Sequence, residues 1–504
     1  MILSLCLHLA LVAGAGPSTA PSAHPDERLF GGGEVPAQGD AGPIASSDGG
    51  AHPIARTLTE SLEEDLFGGQ QTTSDSVGPA TGERSTFESR SGASGTLPPD
   101  NPLTVGGLLY LRTQLSAAEG QPPSQWLLSA PFLLDTYLDA RPNDRVRGYV
   151  LVRTLYDPTY DPTAPSQYGV TFPAQPNPAF LIDQMWIKFD VGQKVFVTAG
   201  RQHVKWGTAH FWFPNDLLNP VKLGPLAVFD QRTGVTMLKA NLPLEAAHLN
   251  VTGIALLEGL QQANQLGKVG GAGRVEYVLG TAELGIDVVD SQVQHPRIGG
   301  DVSLGLWDFD VYAEGVLIDG RDNPVWQELA QPNPAQGNVG NYQLTAPGGY
   351  QPEIATGLNY SLRYGDNRVL TFGGEYFYNA LGYSNYSIYP WLLLNNDFNF
   401  FYVGQHYAGV YLLADKPGSW YNSTVNLSTL ANLSDQSFIT RIDFFQTVLT
   451  HLRFEAFAQV HYGANGEFHL SFNSPGGTVG TMQVPAINVP APSFDVGLAL
   501  RVSL

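Results

Sequence analysis

The densest gathering of chemically capable side chains lies in "AGRQHVKWGTAHFWFPNDLLNP", Ala199–Pro220. Arg201, His203 and Lys205 fall at every second position, and alternate residues of an extended chain share a face. A row of cations attracts anionic groups and orients polar solutes. Behind the row come Trp206, Phe211, Trp212 and Phe213. Their rings can pack as a plug, offer a slide on which sugar rings stack, or anchor a loop at a lipid interface. Asn215-Asp216 ahead of Leu217-Leu218 has the residue types of a helix cap, which predicts a short helix there.

Catalytic patterns are missing from the rest of the chain. There is no His-Glu-x-x-His, no Gly-x-Ser-x-Gly, no phosphate loop ending in Gly-Lys-Ser/Thr and no haem-attachment cysteine pair. His451 and His461 share a face but stand about 33 Å apart at strand rise, too far to ligate one metal. Cys6, the only cysteine, sits in the apolar run "MILSLCLHLALVAGAG". That run reads as an export signal over residues 1–15, with Ala13-x-Ala15 as its cleavage site. Its removal leaves no thiol, which excludes disulfides, cysteine-held metal clusters and thiol catalysis. No cofactor, metal or enzymatic activity is expected. A net charge of −20 argues against nucleic acid as a partner.

The elements that must position the cationic row are strands. "HLRFEAFAQVHYG" (451–463) places Leu452, Phe454, Ala456, Ala458, Val460 and Tyr462 on one face. His451, Arg453, Glu455, Gln459 and His461 lie on the other, with Phe457 as the exception. A period of two means a sheet with two different faces. Charged residues make up only 14% of the chain and apolar residues 43%, and past the N-terminal run no stretch is apolar enough for a membrane helix. From about residue 102 the alternation recurs in segments separated by turn-rich breaks. Strands are predicted near 103–115, 126–139, 144–156, 179–191, 194–205, 229–242, 246–258, 270–280 and 282–291. Nine more follow near 296–307, 308–319, 351–364, 367–379, 399–414, 420–432, 435–449, 451–463 and 492–504. Tight breaks such as 141–144, 191–194 and 364–367 alternate with long ones at 157–178, 206–228, 319–350, 380–398 and 464–491.

This pattern predicts an all-β fold, a transmembrane antiparallel β-barrel of about 18 strands over residues 101–504. Its apolar face meets lipid and its polar face a wet lumen. Residues 16–100 are poor in aromatics and carry 13 Asp+Glu against 4 Lys+Arg before residue 101, a composition that predicts a disordered acidic periplasmic segment. Within it "ERLFGG" (Glu27–Gly32) recurs as "EDLFGG" (Glu64–Gly69). Leu29, Phe30, Leu66 and Phe67 are thus candidate hooks for a periplasmic partner or for the barrel mouth, unless the likeness is chance in a biased segment.

On the polar faces, early strands contribute Arg112, Arg145, Arg147, Arg153, Lys188, Arg201 and Lys205, and middle strands Glu276, Asp301, Asp310, Glu314, Glu353 and Glu375. Late strands are mixed, with Arg453 and Glu455 among them. The map predicts a basic wall facing an acidic one, a transverse field that orients polar solutes. The alternative is that these ions pair among themselves and stiffen the barrel.

The Gly-Arg-Gln…Trp-Gly string of Gly200–Gly207, followed by Asp216-Leu-Leu-Asn-Pro220, resembles segments of outer-membrane porins and of polysaccharide-exporting barrels. The last strand, "SFDVGLALRVSL", resembles the C-terminal targeting strand of such barrels, which usually ends in an aromatic residue where this chain has Leu504. The resemblance implies the outer membrane of a Gram-negative bacterium, contact with outer-membrane lipid, and insertion by the barrel assembly machinery. It also implies that the third long connection folds into the barrel and narrows it, with Arg201, His203, Lys205, Trp206 and Trp212 at the constriction. The function expected is a channel for hydrophilic solutes. One alternative is a conduit for polysaccharide export, working with a periplasmic export protein through residues 16–100. Another is a structural or adhesive anchor.

Overall fold

The computed structural model describes residues 102–504 apart from 161–175, 220–221, 223, 228–231, 258–268, 292–293, 321–324, 329–341, 365–367, 396, 419, 475–476, 480–481 and 485–486. The expected signal, the acidic segment and its Leu29-Phe30 and Leu66-Phe67 hooks lie outside the described residues.

Eighteen long strands form one antiparallel sheet. In chain order they begin with β1 (Leu103–Ala118), β2 (Phe132–Asn143), β3 (Val146–Tyr156), β4 (Ala179–Val191), β5 (Val195–Gln202) and β6 (Val235–Leu244). Next come β7 (Leu249–Leu256), β8 (Gly270–Leu279), β9 (Ala282–Asp290), β10 (Arg297–Leu306), β11 (Phe309–Asp319) and β12 (Tyr350–Arg363). The wall is completed by β13 (Val369–Asn379), β14 (His406–Asp415), β15 (Ser423–Asn432), β16 (Ser437–Leu449), β17 (Leu452–Gly463) and β18 (Pro492–Ser503). Each pairs with its neighbours in sequence, and β1 pairs with β18 through partners such as Tyr110 and Arg501, so the sheet closes. Closure satisfies every ladder hydrogen bond without water, the condition for a sheet in hydrocarbon.

The alternation sorts as predicted. Along β17, Val460 and Tyr462 are exposed while Glu455, Gln459 and His461 are buried, and Phe457 points inward with them. Next to it on β18, Val496, Leu498 and Leu500 face outward and Asp495 and Arg501 inward. The outer rows of the other strands, including Leu134, Phe180, Ile187, Ile286, Leu358, Val410 and Ile442, are apolar and exposed. An even-stranded closed barrel with this apolar belt is matched to an outer membrane.

The connections alternate as well. On one side they are short: 144–145, 192–194, 245–248, 280–281, 307–308, 364–368, 416–422 and 450–451. On the other they include 119–131, 157–178, 203–234, 320–349, 380–405 and 464–491. Four local expectations fail. Strand β2 starts at Phe132 instead of near 126, β6 at Val235 instead of near 229, and β14 at His406 instead of near 399. Residues 399–405 read as strand because they are apolar, but Phe400 and Phe401 spend that character in packing on Phe468, and Tyr402 in packing on Phe377. The helix expected at Leu217-Leu218 is absent, because Asn215 binds the wall carboxylate of Asp301 and Asp216 pairs with Arg232 of its own connection rather than capping a turn.

A charge placed on the outer belt tests the assignment of faces. Val410→Arg, at the middle of β14, is expected to destabilise the folded barrel in vesicles by about 2–4 kcal/mol, read by denaturant titration. The inward substitution Ser428→Ala, which removes a buried hydroxyl that has no hydrogen-bond partner among the described residues, should cost far less.

Candidate functional site

The connection from β5 to β6, residues 203–234, turns into the barrel instead of rising away from it. Phe211, Trp212, Phe213, Leu217, Asn215 and Asp216 are all at most 1% exposed. Such a segment has no ladder partner, so its backbone N–H groups must find acceptors elsewhere.

Two carboxylates on the wall supply them. Glu314, at the middle of β11, accepts from the N–H groups of Thr208 at 2.6 Å, Ala209 at 2.9 Å and Asn215 at 3.1 Å. Glu375, at the middle of β13, accepts from His210 at 2.8 Å, Phe211 at 3.2 Å and Trp212 at 2.8 Å, and from the Tyr312 hydroxyl at 2.9 Å. A buried carboxylate without donors is expensive, and a hydrogen bond to a charged group contributes about 1.5–3 kcal/mol. Loop and wall therefore satisfy each other. The wall also makes room. A Cβ on Gly409 would stand 2.6 Å from Phe211, and one on Gly207, at φ +97°, would strike Glu314 at 2.2 Å. At Gly207 only glycine combines that backbone conformation with so close an approach.

Side chains fix the rest of the segment. Asp183, at a β4 bulge, accepts from His203 at 2.9 Å and from the Gly234 N–H at 3.3 Å, tying both ends of the connection to one residue. The Asn215 amide donates to Asp287 at 2.5 Å and Asp301 at 2.9 Å, and the Arg274 guanidinium lies 2.7 Å from both carboxylates. Asp216 pairs with Arg232, and Lys222 donates to the carbonyls of Phe213 and Pro214. Trp212 stacks on Phe377 with ring centroids 5.8 Å apart and donates its indole N–H to the Phe401 carbonyl. Trp206 packs with Leu217, Met237 and Ile254, and the Lys205 ammonium stands 4.5 Å from the Phe213 ring centre.

The wall map drawn from sequence changes in consequence. Arg147 pairs with Asp139 at 2.9 Å, and Arg153 with Asp135 and Asp183 at 3.1 Å each, so the early wall is not basic. Arg145 pairs with Asp190 at the short-turn rim, away from the loop. Arg201 stands in register with Met185 and Thr236, on the outward row, and so leaves the face shared by His203 and Lys205. Lys188 faces the Phe196 ring, and Arg112 shares the Phe457 ring with Arg441. Asp301 joins the Arg274 cluster, and Glu353 lies 4.0 Å from Lys222. Asp310 sits four residues toward the short-turn end from Glu314, in register with Gly305 and Asn359. Arg453 and Glu455 are 3.4 Å apart on β17, with Arg453 over Phe445. The structure thus brings His203, Lys205, Trp206, Trp212, Asp301, Glu314, Glu353 and Glu375 to the inserted loop. Arg274, an inward cation of the middle strands in the sequence, joins them, and Asp183, Asp287 and Gly409 do so unforeseen; Gly409 carries no sequence signal beyond being small.

At the outer rim, Glu467 opens the connection to β18 and is wholly buried. It accepts from the Tyr407 hydroxyl at 2.7 Å, the Asn432 amide at 2.8 Å and the Phe401 N–H, while its own N–H donates to Asp435 at 2.8 Å. Burial, with the Asp435 charge beside it, pushes the Glu467 carboxyl up to about 8.

No protein-family model matches the chain, and no curated protein matches it. Among solved structures, a triple mutant of the Rhodopseudomonas blastica porin is similar at 10% identity and a TM-score of 0.37, over 80% of this chain and 100% of that one. OccK3 (OpdO) of Pseudomonas aeruginosa is similar at 12% identity and a TM-score of 0.41, over 79% and 95%. OccAB4 of Acinetobacter baumannii is similar at 6% identity and a TM-score of 0.47, over 80% and 98%.

Two outcomes are expected. Glu314→Gln with Glu375→Gln replaces an acceptor oxygen by a donor at each clamp, so Trp212 should become quenchable by acrylamide while the barrel keeps its heat-modifiable mobility on gels. At the rim, an acid whose folded value lies above its ordinary 4.5 stabilises the fold fully below pH 4.5, and that contribution is lost as pH rises through about 8. Proteolysis within 464–491 should therefore accelerate between about pH 5 and about pH 9, and Glu467→Gln should remove that dependence.

Proposed function

We propose that the chain is an outer-membrane channel that passes hydrophilic solutes, its lumen narrowed by the inserted connection 203–234. The observation that carries this reading is the seating of that connection on Glu314 and Glu375, both at mid-strand in the wall. A closed barrel alone needs no such insert. Two carboxylates buried against a loop backbone make a fixed constriction out of a segment that would otherwise be free to leave the lumen.

The ion pairs of the early wall refine the selectivity expected. With Arg147 and Arg153 neutralised by aspartates, discrimination rests on the geometry left between the inserted loop and the late strands, whose charges also pair at close range, Arg441 with Asp443 at 2.6 Å and Arg453 with Glu455 at 3.4 Å. Mixed signs favour polar solutes over apolar ones without excluding either charge.

Single-channel recording of the full-length protein in a planar bilayer tests the reading. Stable open steps are expected, with a severalfold larger conductance once residues 208–218 are replaced by a short Gly-Ser linker. A folded barrel that stays silent in both forms, or whose conductance ignores the replacement, would contradict it.

A further inference from the structure

A second concave site lies away from the lumen, on the long-connection side. Residues Val325–Glu328 and Tyr342–Thr345, both within the β11–β12 connection, pair as a small hairpin. The hairpin, the start of the β13–β14 connection at 380–388 and Gln405 line an open cavity of about 440 Å³. Ligand sites commonly run from about 300 to 1,000 Å³.

The lining has a consistent chemistry. Trp326 and Tyr342 present rings to the cavity, and Trp391 packs behind both, with centroids 5.3 Å and 5.9 Å away. The polar ends of both rings are already engaged. Trp326 donates its indole N–H to Asp397 at 2.6 Å, and Tyr342 its hydroxyl to the Ser387 carbonyl at 3.4 Å. Tyr383 is held in turn by the Trp326 N–H at 3.2 Å. The rings are thus fixed in orientation at the edge of the cavity. Around them stand the amides of Gln327, Gln351, Asn385 and Gln405 and the hydroxyl of Ser384, while Glu328 is the only charged lining residue described. Among the described residues no hydrogen bond engages the side-chain amides of Gln327 and Gln405. Unspent amides offer both donors and acceptors.

We propose that this cavity binds a neutral saccharide. A sugar ring carries an apolar C–H face that packs on an aromatic ring and a rim of hydroxyls that are both donors and acceptors, which is what amides complement. One carboxylate among many amides favours an uncharged ligand over an acidic one, because an anionic sugar would meet Glu328 without a cation to offset it. The site is independent of whether the lumen conducts. Its place on the long connections puts it at the outer mouth, where a barrel meets surface glycans or captures solute before entry.

The test uses full-length protein in detergent on an array of neutral and acidic glycans, followed by calorimetric titration of each glycan retained. The expected result is retention of at least one neutral glycan, with affinity at least tenfold weaker in both Trp326→Ala and Gln405→Leu. Gln405→Leu leaves the hairpin untouched, so a loss there cannot be assigned to misfolding of that element. Failure to retain any glycan, retention of acidic glycans alone, or affinity unchanged by Gln405→Leu would overturn the proposal.

Discussion

The inserted loop and the barrel wall share one reciprocal need. A loop inside a barrel has backbone N–H groups and no strand to receive them, and a carboxylate inside a barrel wall has charge and too little water to solvate it. Glu314 and Glu375 resolve both at once by collecting the N–H groups of Thr208–Trp212 and Asn215. Each satisfies the other, so the inserted position belongs to loop and wall together.

The rest of the interior is arranged around that contact. Glycines or alanine flank the clamps in register, with Ala355 beside Glu314 and Gly357 and Gly409 beside Glu375. They leave space for a main chain where larger inward side chains would fill it. Asp183 fixes both ends of the loop, and Asn215 reaches the Arg274 cluster. The aromatics then pack outward from the clamped backbone, Trp212 on Phe377 and Phe211 beside Tyr411. A loop seated this way has its position set by charge-assisted hydrogen bonds and its surface set by side chains.

The strands were legible because their signal is local. Alternation at period two shows within a single segment, so all the long strands could be placed to within a few residues, apart from the starts of β2, β6 and β14. The lumen was less legible because an ion pair depends on register between strands. Asp135 and Asp139 lay in view on β2, yet their capture of Arg153 and Arg147 becomes visible only when β2 is set against β3. Arg201 misled for a related reason: its alternation with His203 looks continuous, but the strand ends at Gln202 and the chain turns inward beyond it. Glu314 and Glu375 were identifiable as inward carboxylates, but nothing local says that their partner is a backbone more than a hundred residues away.

Hydrogen–deuterium exchange of the folded full-length barrel tests the central claim most directly. The amides of residues 208–212 and 215 should exchange as slowly as those of the barrel strands, and should accelerate in Glu314→Gln and Glu375→Gln while the strand amides stay protected. Exchange of those loop amides in the unaltered protein as fast as in the exposed outer connections would show that the loop is not held by the wall, and the account would fail.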